Sequence, residues 1–236
     1  IIYNNNIVVS GTGSSGYTLY SEGGCIGSAN YNNYYKANNN PGEFLSVVNG
    51  SPLDWSNYKG YSGFDVNSFS ENPFLASATD PRPGSICLKG VYQSVLSKDI
   101  NGTTRLNPPT IGCAESAGGL SLDAEISAFV KPVFPVASGN NDIEVTIKNK
   151  GLVTLTSLTV SVRLGATTRT INWTGSLASC QETNVLFTGA DQLNIGPGKN
   201  NINAFVSGPN GGVDQNNQND TIKADFCTTL GSDPVD

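Results

Sequence analysis

The second half of the chain alternates apolar and polar residues with a period of two, and nowhere does the sequence carry the 3.6-residue period of an amphipathic helix. Ile143, Val145 and Ile147 alternate with Glu144, Thr146 and Lys148, and Leu158, Val160, Val162 and Leu164 alternate with Thr159, Ser161 and Arg163. Ile171 with Trp173, Val185 with Phe187, Ile202 with Ala204 and Val206, and Ile222 with Ala224 and Phe226 continue the pattern. Successive side chains of an extended strand point to opposite faces. This period therefore builds strands with one apolar face each, and such faces must close on one another. The expected fold class is all-β.

Turn signals separate these runs: Asn149-Lys150-Gly151, Leu164-Gly165-Ala166, Gly196-Pro197-Gly198 and Pro209-Asn210-Gly211-Gly212. With the opening run from Ala124 to Val133, about seven strands fall within residues 120–230, the arithmetic of an immunoglobulin-like sandwich. The strands around Val145 and Phe205 carry no cysteine, so the core is expected to be sealed by aliphatic side chains and Trp173.

The first half reads differently. Pieces of three to five apolar residues, such as Ile1-Ile2-Tyr3 and Ile7-Val8-Val9, sit between clusters such as Asn4-Asn5-Asn6 and Ser10-Gly11-Thr12-Gly13. Short strands joined by polar corners suit a parallel β-helix, whose coils stack on one another. Asparagine suits such corners because it tolerates left-handed backbone. A loop-rich region of an ordinary sandwich has the same pattern. On the β-helix reading the chain starts without a cap on its first coil, which implies further coils upstream or a partner covering the first rung. The absence of methionine likewise marks a processed or internal piece.

Composition excludes several classes of chemistry. With no histidine among 236 residues, Ser-His-Asp and Cys-His nucleophiles and histidine-ligated metals are impossible. A net charge of -6, from 13 basic and 19 acidic residues, opposes nucleic-acid binding. No apolar run approaches the roughly 20 residues of a membrane span. The wealth of Asn, Gly, Ser and Thr points to an extracellular or cell-surface location, where disulfides form.

Two resemblances extend this reading. Ser28-Ala29-Asn30-Tyr31-Asn32-Asn33-Tyr34-Tyr35, Trp55-Ser56-Asn57-Tyr58-Lys59-Gly60, Asp65-Val66-Asn67-Ser68 and Glu71-Asn72-Pro73-Phe74 resemble the corners of right-handed parallel β-helix proteins of the Bacteroidetes. Asp99-Ile100-Asn101-Gly102-Thr103-Thr104-Arg105 and Pro109-Thr110-Ile111-Gly112-Cys113-Ala114-Glu115 are similar to that family's closing element, with Cys113 as a departure. Ile143 to Gly151, Ser157 to Val162, Asn172 to Gly175 and Pro209 to Thr221 are similar to CARDB modules, adhesion-related bacterial sandwiches. The resemblances imply the C-terminal coils of a β-helix over 1–119, a CARDB-like sandwich over 120–230 and a linker to a further module over 231–236. They also imply a spacer or adhesion role without catalytic residues.

Several residue clusters carry specific expectations. Asp214 and Asp220 bracket an Asn- and Gln-rich loop that could hold calcium through oxygen ligands, although the loop lacks the mid-loop glycine and terminal glutamate of an EF-hand. The competing reading has both carboxylates binding the loop's own backbone. Asp99, Arg105 and Glu115, with Lys98 alongside, suggest either a structural latch or a polysaccharide-cleaving groove. The first-half tyrosines and Trp55 either stack on sugars or sit inside the coils. Asp220-Thr221-Ile222 resembles the Bacteroidetes O-glycosylation site, which makes Thr221 a candidate for modification. Strand length keeps Cys180 and Cys227 apart at opposite ends of the sandwich. Cys87 with Cys113 is the expected disulfide, Cys113 with Cys180 the runner-up, and the pairing of Cys25 is open.

Taken together, the chain is expected to be a non-catalytic segment of a secreted or surface protein of adhesin or filament type. Its expected partners are other modules of the same protein, a neighbouring surface protein or glycans, and no cofactor is called for beyond the calcium just described. The alternatives are the accessory tail of a β-helix polysaccharide lyase or hydrolase, whose active site would lie upstream, and a subunit of a cell-surface complex.

Overall fold

The computed structural model describes residues 63–77, 80–116 and 118–228, together with 2–3, 6–9, 19–21, 26, 28–36, 46–48, 51–53, 55 and 57–58. Cys25 and the expected linker at 231–236 lie outside the described residues. Two compact units divide the chain, Ile1–Gly119 and Leu120–Asp236.

In the first unit, β1 (Ile2–Tyr3), β2 (Asn6–Val9) and β3 (Leu19–Ser21) pair in parallel with β4 (Ala29–Asn30), β5 (Asn33–Lys36) and β6 (Ser46–Val48). Ile2 faces Ala29, Asn6 faces Asn33 and Leu19 faces Ser46, so the offset is 27 residues each time (29 minus 2, 33 minus 6, 46 minus 19). A parallel bridge from Asn33 to Phe69 carries the pairing one step further. Two short antiparallel hairpins follow: β6 with β7 (Ser51–Leu53), and β8 (Leu75–Ser77) with β9 (Asp80–Pro83). After Pro83 the backbone is held by isolated bridges, Lys89 to Thr110 and Lys98 to Thr104. Leu88, Ile111 and Ala114 are fully buried there.

The paired strands of the second unit are antiparallel, with one isolated parallel bridge from Val136 to Thr228. Its three-stranded sheet has the order β10 (Ala124–Lys131), β12 (Ile143–Asn149), β15 (Glu182–Phe187), with β11 (Gly139–Asn141) lying between β10 and β12 in sequence. The four-stranded sheet has the order β14 (Thr167–Leu177), β13 (Leu155–Leu164), β17 (Lys199–Ser207), β18 (Thr221–Cys227). Here β16 (Leu193–Ile195) precedes β17 and pairs with β11 as a two-stranded ribbon. The seven strands expected from alternation are the seven of the two main sheets. The ribbon was not legible, because three-residue strands are too short to display a period.

The core follows the alternation. Ile143, Val145 and Ile147 of β12, Val160 and Val162 of β13, and Ile202 and Ala204 of β17 are all 0 % exposed. Phe129 of β10 meets Phe226 of β18 edge to face at 5.4 Å, joining the two sheets at their margin. Trp173 packs against the core from the edge strand β14 and is partly buried. The opening run departs from simple alternation, because β10 carries register shifts between Ile126 and Ala128 and again between Phe129 and Lys131. Such bulges add a residue to one strand and re-aim the side chains beyond it.

The cysteines require a correction. Cys87 and Cys180 each belong to a disulfide, whereas Cys113 and Cys227 are free and exposed. Cys113 is therefore paired neither with Cys87 nor with Cys180. Its carbonyl accepts from the Ile100 N–H at 2.9 Å within the turn that follows Gly112, and its thiol faces solvent, while Cys87 is buried.

Candidate functional site

Three clusters of ionisable or aromatic side chains could in principle do chemistry. The first surrounds Asp65, which is fully buried and holds a left-handed backbone with φ of 55°. Its amide donates to the Ala29 carbonyl at 2.8 Å, which fixes the carboxylate inside the unit. Four side chains donate to that carboxylate. Asn32 Nδ2 reaches Oδ1 at 2.9 Å, and Ser68 Oγ reaches the same oxygen. Tyr34 and Tyr58 hydroxyls reach Oδ2 at 3.1 and 2.6 Å. Burial, reinforced by the carboxylate, pushes both phenols above their usual pKa, so they remain donors.

Tyr34, Tyr58 and Trp55 also pack ring against ring, with centroids 5.6 to 6.1 Å apart. Tyr34 is 1 % and Tyr58 3 % exposed. Of the two expectations for these tyrosines, the structure places both inside the unit, where neither can stack on a sugar. Asp65 was not singled out as a site residue in the sequence. Its one local signal is the Asp65-Val66-Asn67-Ser68 turn, in which the Ser68 N–H donates to the Asp65 carbonyl at 2.9 Å.

The second cluster is the closing element, where the structure brings Asp99, Arg105 and Glu115 together. Asp99 Oδ1 accepts from the Asn101 and Thr103 amides, both at 2.8 Å, and Oδ2 from the Glu115 amide at 2.9 Å. Burial opposes ionisation of Asp99 but is outweighed by these three amides and the charge of Arg105, so its pKa lies below the usual carboxylate range. Arg105 pairs with Glu115 at 3.1 Å and donates to the Thr110 and Gly112 carbonyls at 3.2 and 2.8 Å. The other Glu115 oxygen accepts from the Thr110 amide at 3.1 Å. Every partner in this set is backbone or another member of the set, which is how a latch works: charged side chains satisfy loop amides and carbonyls that no sheet ladder reaches. Lys98 joins only through its backbone bridge to Thr104.

The third cluster is the loop before β18. Asp214 Oδ2 accepts from the Ala124 amide at 2.8 Å and Oδ1 from the Asn216 amide at 2.9 Å, so both oxygens of this calcium candidate are committed to backbone. Asp123 accepts from Asn219 Nδ2 at 2.8 Å and from Asn216 Nδ2 at 3.4 Å. Gly151 brings the turn after β12 onto this segment. A Cβ there would come within 2.7 Å of the Ser121 carbonyl oxygen, so only glycine fits. Asp220 Oδ1 and Asn219 Oδ1 are buried without a hydrogen-bond partner. Among the described residues no group of three Asp, Glu, Cys or His side chains is arranged to hold a metal ion.

Burial, together with the charges of Asp214 and Asp123, raises the Asp220 pKa to about 7. In the unfolded chain this carboxyl ionises near pH 4. Between those values the folded state keeps a proton that the unfolded state has lost. Stability contributed here therefore falls as pH rises from about 4 to about 7, and is fully lost above. Asp220→Asn is expected to stabilise the sandwich by about 1 kcal/mol at pH 8, after allowing for solvent screening, and to do little at pH 4. Urea unfolding at the two pH values checks this.

Thr221 heads β18, the edge strand of its sheet, and is exposed opposite Phe205.

No protein-family model and no curated protein matches the chain. Among solved structures it is similar to the CARDB domain of a Pyrococcus furiosus protein, seen in a crystal structure as a complex with di-metal ions. That similarity has 28% identity and a TM-score of 0.34, over 46% of this chain and 88% of the other. The solution structure of the same domain gives 28% identity and a TM-score of 0.35 over 47% and 95%. A domain of a Methanosarcina acetivorans protein, provisionally named as a cell-surface protein, gives 23% identity and a TM-score of 0.33 over 47% and 94%. Each of these three similarities spans under half of this chain.

Proposed function

We propose that this chain is a non-catalytic segment of a secreted or cell-surface protein of adhesin or filament type, with its second unit serving as a rigid spacer. The observation that carries this reading is the commitment of its ionisable clusters. Asp65, Asp99, Arg105, Glu115 and Asp214 each hold backbone or buried side-chain partners, which leaves them no reacting atom to present. No helix among the described residues is long and apolar enough to cross a membrane. The first unit is read as the last coils of a right-handed parallel β-helix, and the 27-residue offset shared by its three parallel strand pairs supports one coil per offset, the Asn33–Phe69 bridge marking a longer step of 36 residues. The polar outer faces of the sandwich then meet neighbouring modules or glycans, and a glycan on exposed Thr221 would project from the sheet edge without disturbing the core.

Pulling a single chain by its ends tests the spacer role. The second unit should resist and then open in one discrete step. With the disulfide of Cys180 reduced, so that the crosslink does not shield part of the unit from the force, its roughly 110 residues would release about 35 nm at about 3.4 Å per residue. Smooth extension without such a step would remove the mechanical basis of the proposal.

A further inference from the structure

Arg169 is out of place in the pattern of its strand. In β14 the outward residues Thr168 and Thr170 are exposed, whereas Arg169 lies opposite Val162, which is 0 % exposed, and so points to the inner side of the sheet. Its Nε donates to the Gln192 carbonyl at 3.3 Å. The guanidinium carries five N–H donors, and among the described residues no carboxylate pairs with it.

The group lines a cleft of about 130 Å³ between the β13–β14 hairpin and the β11–β16 ribbon. Leu164 contributes apolar surface, Leu193 is fully buried, and Thr167, Asn140 and Asn194 contribute polar groups, the two asparagines facing each other across the ribbon. Gln192 completes the lining, and its carboxamide is held by Asp142 at 2.8 Å. That bond, first among several influences, keeps the Asp142 carboxyl below its usual pKa and turned to Gln192, and Asp142 itself does not line the cleft.

We propose that this cleft binds the carboxylate of an acidic saccharide. A planar guanidinium with free forked donors matches a carboxylate in two parallel hydrogen bonds, an arrangement that an ammonium cannot reproduce. The space admits a carboxylate and the few carbons beside it but not an extended chain, so the ligand offers a pendant group. Carboxamides and a threonine hydroxyl around the arginine suit sugar hydroxyls, and no exposed apolar wall awaits a peptide side chain. The site is independent of the spacer role, which the pulling experiment addresses separately. The competing account is that an inward charge on an edge strand only discourages pairing with another chain.

The test uses the full chain, titrated with sodium glucuronate, glucose, acetate and triglycine while amide and arginine side-chain shifts are followed by NMR. Glucuronate should shift Thr167, Arg169 and Asn194 saturably, at least tenfold more tightly than glucose or acetate. Arg169→Gln should abolish that preference, Arg169→Lys should reduce it at least threefold, and Lys223→Gln, on the outer face, should leave it unchanged. Equal binding of glucose, or undiminished binding by Arg169→Gln, would overturn the site. Acetate or triglycine matching glucuronate would overturn the saccharide assignment. Self-association of Arg169→Gln with binding retained would assign the arginine to edge protection alone.

Discussion

Asp65→Ala is expected to unfold the first unit while leaving the second intact. The substitution removes the shared acceptor of Asn32, Tyr34, Tyr58 and Ser68 in a fully buried position. A buried donor left without an acceptor costs about 1–3 kcal/mol, and removing one member of a buried charged network costs about 3–5 kcal/mol. The left-handed backbone at φ of 55° adds about 1 kcal/mol against alanine. Asp65→Asn should cost less, because asparagine tolerates that backbone and keeps one carbonyl oxygen, while the hydroxyls can reverse to accept. The two tryptophans separate the units: Trp55 lies against Tyr34 and Tyr58, and Trp173 belongs to the sandwich. In a Trp173→Phe background, Trp55 fluorescence should show Asp65→Ala unfolded in buffer or at very low denaturant. In a Trp55→Phe background, the transition reported by Trp173 should stay where it was.

Phe187→Ala should have an effect of similar size in the other unit. Phe187 ends β15 opposite Ile143, is fully buried, and joins the core shared by the two sheets. Truncating a buried phenylalanine costs about 3–5 kcal/mol through lost transfer energy and the cavity left behind. Its neighbour Leu186 is 40% exposed on the opposite face, and Leu186→Ala should cost about 1 kcal/mol or less. The contrast between adjacent residues follows from the two-residue period, and it would reverse if the strand were shifted by one position. Denaturant midpoints of the two variants, read from Trp173, make the comparison directly.

What could be read from residue order was what local periodicity encodes. Ile143, Val145 and Ile147, and Ile202, Ala204 and Val206, announce their buried face through alternation alone, and each lies in the core. The loop before β18 declared itself in part, since an Asp beside a turn favours its own backbone: Asp214 does bind the Asn216 amide, whereas Asp220 Oδ1 is buried without a partner. Other features depend on distant partners. Asp65 draws Asn32 and Tyr34 from 33 and 31 residues earlier in the chain, a convergence that no local pattern displays. The bulges of β10 break the period by adding residues, and the β11–β16 ribbon is too short to establish one. The cysteine expectation failed for a related reason. Their shared place near the closing coil made Cys87 and Cys113 the expected partners, whereas the turn at Gly112 leaves the Cys113 thiol in solvent. Arg169 carries no signal in residue order, because its distinction is the face it occupies and the ribbon that forms beside it.

The 27-residue recurrence in the first unit is the claim on which the scaffold reading depends most. Nuclear Overhauser contacts in a selectively labelled chain measure it without disturbing the fold. The account predicts cross-strand backbone contacts between Ile7 and Tyr34 and between Tyr20 and Val47, in the pattern of parallel strands. Contacts joining these segments in antiparallel order, or at another offset, would contradict it.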